Sequence, residues 1–520
     1  MNSRREKIWG PLGLGLPLLG LVGLFLWSEW RVGGQWGLPL DDSWIHLQFA
    51  RNLIQGAGFA FNPGEQVSAS TAPLWTLILA LVHLLPVNVV WAVKGLGVVL
   101  LWGNGLLTVH LGRQVGLPPW ACWLAGLVVV LTPRLLWGSL SGMEVGLATG
   151  LATAGLWLHL RSGGLSYGST VLMGLAVLAR PECLLLFAAA VIDGLARSGG
   201  LAAGVRRYGR HLLLFAAVLA PFVLFNYATL GRPLPNTFYA KVGQYGFLGA
   251  LQGGDWGRLA KTLLYYPVLQ GQEMIRFSAE NSLLLTGLLP LGLVQLARRR
   301  SWLLLLALVS FPLAKGVLAP FQGAVFQHGR YAAHLIPALT VVGLLGAGAA
   351  VRLLEGGLTH PRRRALWRWG QVGLWVVLLG NALVVDLKYA QTYALNVDNI
   401  NDMHVAMGRW LGRNTPAAAV VATHDVGALG YFSGRRIIDT AGLMNPAILP
   451  YLPAGVPADE GVWRYLQQVR PDYLVILPSW YPDLAQRSGR LTPVHEIVLA
   501  HNTVAAGARM VAYRINWEGP

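Results

Sequence analysis

Residues 41–75 read DDSWIHLQFARNLIQGAGFAFNPGEQVSASTAPLW. They follow an apolar run, IWGPLGLGLPLLGLVGLFLW (8–27), of the length that crosses about 30 Å of hydrocarbon. From Asp42 onward Ile45, Phe49 and Leu53 recur at helical spacing, with Trp44, Leu47 and Ile54 beside them. The pattern predicts a helix lying on a membrane surface, with Asp41 or Asp42 as its N-cap. A cap needs one carboxylate. The second sits close to hydrocarbon, where an unpaired polar group is costly. That excess singles out the pair. A carboxylate placed there can take a proton from a hydroxyl as general base, or hold a divalent cation such as Mg or Ca.

The rest of the chain agrees with a membrane setting. Of 520 residues 54% are hydrophobic and 12% charged, about half the charge of a soluble domain, and the mean hydropathy is +0.50. The formal charge of +17 would suggest nucleic acid in a soluble protein. Here the basic residues sit in short loops between apolar runs, as the positive-inside rule requires. Arg4, Arg5 and Lys7 hold the start inside as a retained first span, and residues 31–71 become the first external loop. The clusters Arg197, Arg206, Arg207 and Arg210, then Arg298 to Arg300, then Arg362 to Arg364 with Arg368, are also placed inside. Spans are expected near 88–111, 120–137, 143–160, 211–229, 281–297, 302–319, 332–351 and 366–386. Residues 72–86 either cross or lie as a short helix. Cys122 and Cys183, both in apolar runs, exclude a disulfide framework and an all-cysteine metal site.

One apolar stretch is interrupted at its middle, GLAVLARPECLLLFAAAVIDG. Proline breaks the helical ladder and buried charge is expensive, so two half-helices meeting at Arg180, Pro181 and Glu182 are expected. After residue 395 the apolar runs shorten to strand length, at 417–424, 436–440, 472–478, 496–501 and 508–515, with helical patterns at 403–414 and 461–470 between them. The fold class is thus a polytopic α-helical membrane protein of about 10–12 transmembrane helices, residues 1–395, followed by an extracytoplasmic α/β domain, residues 396–520. Cations in outward or interrupted segments, Arg180, Lys241, His328 and Arg330, suit a phosphate, which arginine binds through its planar fork of donors.

The first-loop stretch resembles the first external loop of integral-membrane glycosyltransferases of the GT-C fold, in particular bacterial arabinofuranosyltransferase-like and mannosyltransferase-like enzymes. SGMEVGLA (141–148), LARPE (178–182), LPNTFYAK (234–241), the GRY of 329–331 and DVGALGYFSGRRIIDTAGLMNP (425–446) match in order. The resemblance implies transfer of a sugar from a polyprenyl-phosphate carrier to a glycan, lipid or protein acceptor on the extracytoplasmic face of a bacterial inner membrane, with inversion and without a nucleotide-sugar. It implies Asp41 or Asp42 as the base, Asp41 being the first choice with Asp42 then orienting the acceptor or a cation, and Arg180, Lys241, Arg330 and His328 on the donor phosphate. Glu144, Glu182 and Trp44 would line the sugar and acceptor side, with His424 and Asp425 of the α/β domain. The other functional class is a transporter or flippase for a lipid-linked glycan, since mid-membrane charge also suits a translocation path. An acidic pair opening a surface helix, a folded outer domain and the lack of internal repeats favour the transferase.

Overall fold

A computed structural model describes residues 3–197, 201–241, 247–319, 323–356, 361–453, 456–487 and 489–518. The side chains of Lys241 and of several basic loop residues, Arg206, Arg207 and Arg362 to Arg364 among them, lie outside that description. The chain opens with α1 (Ser3–Gly33), α2 (Asp41–Ile54), α3 (Pro73–His83), α4 (Val89–Gln114), α5 (Pro119–Val130), α6 (Pro133–Leu140), α7 (Val145–Arg161), α8 (Tyr167–Ala179), α9 (Leu184–Arg197) and α10 (Leu201–Leu230). Later helices at Leu283–Arg298, Trp302–Leu318, Ile336–Gly356 and Pro361–Asn399 complete the bundle.

The protein is an integral membrane protein with many of its spans short or broken. Among the described residues, Gly10–Gly33, Val89–Gln114, Tyr208–Leu230 and Phe326–Glu355 are long and apolar enough to cross a membrane unaided. α5 and α6 together are apolar enough to cross but meet at a bend of 51°, the geometry of a broken span or of a re-entrant pair. The undecided segment 72–86 is α3, whose 11 residues span roughly 16 Å. The expected interruption is present, with Pro181–Cys183 forming one 3-10 turn between α8 and α9. α1 and α4 are pinned by a buried ion pair, Glu29 to Lys94 at 2.6 Å.

The helix Pro361–Asn399 has 39 residues, roughly 58 Å, about twice the hydrocarbon thickness. It runs on through a π turn at Ile400–Val405 into the C-terminal domain. That domain is a five-stranded sheet in the order β2-β1-β3-β5-β4. β1 (Val420–Thr423), β2 (Arg436–Asp439) and β3 (Tyr473–Ile476) are parallel. β5 (Arg509–Ile515) runs antiparallel to β3, and β4 (Leu491–Val498) antiparallel to β5. β4 starts earlier than the expected 496–501. Its Pro493 looks like a break, yet β4 is an edge strand with a bulge between Pro493 and His495, where a missing N–H is harmless.

α2 differs from expectation in two ways. It does not lie open on a surface, because the sheet domain covers it: Ser43 to Ala50 and Asn52 are all buried. Neither aspartate caps it either. Leu40 is the N-cap, without a side-chain bond, and both aspartates fall in the first turn.

Candidate active site

Asp41 does cap a helix, but not its own. Its carboxylate accepts from the backbone amides of Gly427 at 2.8 Å and Ala428 at 2.7 Å, the first N–H groups of the helix Gly427–Ser433 in the sheet domain. The approach is so close that a Cβ on residue 427 would stand 2.1 Å from the Asp41 carbonyl oxygen. Glycine is required there, which accounts for the first glycine of DVGALGYF. Burial, with Asp425 adding, pushes the Asp41 carboxyl up to about 6, while His404 and the two amides pull the other way.

Asp42, the next residue, points elsewhere. It lines a cavity of about 210 Å³ that also takes Glu144, Arg180, Glu182, Lys315 and Arg330. The placement follows from local geometry. The Ser43 hydroxyl donates to the Ser141 carbonyl at 2.6 Å and Trp75 Nε1 to the Gly142 carbonyl at 2.9 Å. These bonds hold the SGME turn against α2 and α3 and so aim Glu144 from the start of α7. The interruption between α8 and α9 delivers Arg180 and Glu182. Arg330 follows three residues with positive φ, Gln327, His328 and Gly329. Such backbone is strained for the first two, and a Cβ at 329 would meet the Phe277 ring at 2.4 Å.

The charges in the cavity are interleaved. Arg330 Nη2 meets Asp42 Oδ2 at 2.6 Å. Arg180 pairs with Glu144 and stands 3.4 Å from Glu182. Three cations converge on one ring, that of Tyr331: Arg180 and Lys315 at 4.6 Å and Arg330 at 5.1 Å. Several buried atoms still lack a hydrogen-bond partner. Arg330 Nε is a donor in that state, while Arg180 Nε and Glu182 Oε2 face each other at 3.4 Å, and Glu144 Oε2 faces His46 Nε2 at 3.6 Å, without hydrogen-bond geometry. Buried polar atoms are normally satisfied, so the cavity offers donors to an anion and acceptors to hydroxyls at once. His46, one turn after Asp42, stands 3.6 Å from Glu144, and burial keeps its imidazole below the ordinary value despite Glu144 and Asp42. The carboxylates each face arginine. Among the described residues no group of three or more His, Cys, Asp or Glu side chains is placed to hold a metal.

The structure therefore brings together Asp42, Glu144, Arg180, Glu182 and Arg330, and leaves others out. Asp41 is turned to the sheet domain. Trp44 packs on Tyr431 and Phe432, at 5.1 and 4.7 Å between ring centres. His328 stacks on Trp137 at 4.2 Å and bonds the Asn396 side-chain amide at 2.9 Å. His424 stacks on Trp480, and Asp425 accepts from His404 at 3.0 Å, both within the sheet domain. Lys241 falls outside the described side chains. The sequence reading missed Lys315, Tyr331 and His46. The lone lysine of an apolar helix was the available signal for the first, and the i+4 position from Asp42 for the last.

Solved structures of the same shape exist. ArnT from Cupriavidus metallidurans, bound to undecaprenyl phosphate, superposes with a TM-score of 0.55 at 14% identity, over 95% of this chain and 97% of that one. The chain has the GT-C fold. A second GT-C protein, the oligosaccharyltransferase AglB from Archaeoglobus fulgidus, in complex with an inhibitory peptide and a dolichol-phosphate, gives 0.58 at 14% identity, covering all of this chain and 75% of that one. In sequence the chain is 27% identical over 420 residues to a terminal beta-(1->2)-arabinofuranosyltransferase of Mycobacterium tuberculosis. That match takes in 72% of this chain, and the chain spans about 61% of that relative's length. Residues 392–517 match a family described as a domain of unknown function, DUF8728. Within this GT-C fold the cavity sits where the bundle meets the sheet domain, since Leu443 and Met444 of the latter complete its wall.

Proposed function

We propose that the protein is a glycosyltransferase that moves a sugar from a polyprenyl-phosphate carrier to an acceptor hydroxyl, with Asp42 as general base. The observation that carries this reading is the convergence of Arg180, Lys315 and Arg330 on Tyr331, with the Asp42 carboxylate at the edge of the same cavity. The carrier phosphate binds among the three cations. As the bond from the anomeric carbon to the phosphate oxygen breaks, negative charge grows on the phosphate, and fixed cations stabilise it. Positive charge grows on the ring, which the carboxylates favour. The acceptor oxygen bonds the anomeric carbon and its proton passes to Asp42. A sugar hydroxyl is a far weaker acid than a carboxylic acid, so the proton moves late and an ordinary carboxylate suffices. One base and no covalent intermediate means a single displacement with inversion.

The arabinofuranosyltransferase relative supports a pentofuranose as the sugar, and ArnT with its undecaprenyl phosphate supports a polyprenyl carrier. The basic loops favour an orientation with the cavity and residues 396–520 on the extracytoplasmic face of a bacterial inner membrane. The test uses the full chain in lipid nanodiscs, with undecaprenyl-phosphate-linked arabinofuranose and a short arabinofuranose oligosaccharide. Transfer with release of undecaprenyl phosphate, and a product anomer opposite to the donor's, is expected. Retention of the anomer would overturn Asp42 as the base of a single displacement. Vesicle-to-vesicle or leaflet-to-leaflet movement of the intact donor, without transfer, would favour a flippase.

A further inference from the structure

Beside the cavity lies a second one, also about 210 Å³, and Met444 lines both. Its walls come from the NPGE segment of the first loop, from β2 and the loop after it, and from Thr229 and Leu230 at the end of α10. Glu65, Arg436, Asn445 and Tyr465 are among the polar groups it presents to a ligand. The Arg436–Glu65 pair at 2.5 Å is about half exposed on both sides, so it adds little to stability and remains open to a ligand. Asn445 Nδ2 donates to the Tyr465 hydroxyl at 2.9 Å.

We propose that this second cavity seats a saccharide chain whose terminal hydroxyl reaches past Met444 to Asp42, so that the acceptor is a glycan. The proposal rests on the glycosyltransferase reading above. Three observations select the class. Amide, carboxylate, guanidinium and phenol groups stand close together, and paired donors and acceptors of this kind match neighbouring hydroxyls. A lipid acceptor requires a continuous apolar channel, whereas half of the residues lining this cavity are polar, Glu65 and Arg436 among them. A peptide acceptor added along β2 requires a free strand edge. That edge is taken, because Asn62 accepts from Ile437 N and donates to Ile437 O, both at 2.9 Å.

Full-length protein in nanodiscs, with the donor and oligosaccharide named above, tests it through Arg436→Ala and Thr229→Trp. The first removes a charged donor and the second fills the cavity from the bundle side. An acceptor KM raised about tenfold in Arg436→Ala, with donor KM constant to about twofold, is expected for one lost charge-assisted bond. Thr229→Trp raises acceptor KM in the same way. Continued transfer with acceptor KM unchanged in both variants overturns the subsite. Hydrogen exchange without donor supplies a reading independent of turnover. Added oligosaccharide protects residues 58–67 and 436–446 if the subsite exists, and absence of protection there overturns it. A wild-type protein that never releases undecaprenyl phosphate from the donor fails the transferase reading instead.

Discussion

Replacing each aspartate of the pair by asparagine separates their roles. In Asp42→Asn the amide oxygen still accepts from Arg330 Nη2, now at 2.6 Å from the carboxylate, and the side chain is 38% exposed, so the fold changes little. The proton acceptor is gone. Loss of a general base costs about 10²- to 10⁴-fold in rate, or about 3–5 kcal/mol of barrier. In Asp41→Asn two effects oppose each other. One of the two charge-assisted bonds to Gly427 and Ala428 is lost, about 1.5–3 kcal/mol. The charge that burial disfavours, holding the carboxyl up at about 6, also disappears, which works in the opposite direction. Asp41→Asn is therefore expected to fold and to transfer. The assay is kcat for transfer in nanodiscs beside the thermal unfolding midpoint of each variant. A dead but stably folded Asp41→Asn, with Asp42→Asn at the wild-type rate, would refute the assignment and return the base to Asp41.

Lys315→Met removes one of the three cations around Tyr331. Donor KM is expected to rise about tenfold, measured by titrating the lipid-linked donor; an unchanged value would remove Lys315 from the phosphate site. Lys94→Met leaves Glu29 buried and unpaired, which costs about 3–5 kcal/mol, whereas Glu29→Leu with Lys94→Met restores most of the stability. Thermal unfolding of both decides, and equal midpoints for the single and double variants would contradict it. In the sheet domain Asp425 and Asp41 hold the His404 imidazole above its ordinary 6.5 in spite of burial. A raised histidine gives stability that is complete below 6.5 and lost as pH rises through the folded value. The neighbouring His424 is held below 6.5 by burial, and it acts only as pH falls. Wild-type stability should therefore fall as pH rises above 6.5, and His404→Asn should not show that fall.

The fold was legible because its signals are local. Apolar length marked the spans, Pro181 between two charges marked the interruption, and β-length runs after residue 395 marked the sheet. The cavity was half legible. Glu144, Arg180, Glu182 and Arg330 stood out as charges in apolar surroundings, which is a cost that sequence alone exposes. Direction was not legible. Asp41 and Asp42 are adjacent, and periodicity does not say that one turns to a helix made far along the chain while the other faces the bundle. Trp44 and His328 looked available because nothing local announces Tyr431, Phe432 or Trp137 as their partners. Lys315, a lone charge in an apolar helix, carried the same signal and was missed. Asn62 and Asn236, which lie in the motif stretches, each fasten the bundle to the sheet domain, Asn62 to Ile437 and Asn236 to the carbonyls of Gly442 and Leu443.

The clamp on Asp41 has a bearing on the order in which the protein is made. The amides that seat α2 lie 386 residues after Asp41, and Met444, which walls the cavity, comes later still. A ribosome that has inserted every helix of the bundle has therefore not yet made the amides that hold Asp41 or the Leu443 and Met444 side of the cavity, so the site is completed only when the sheet domain folds down.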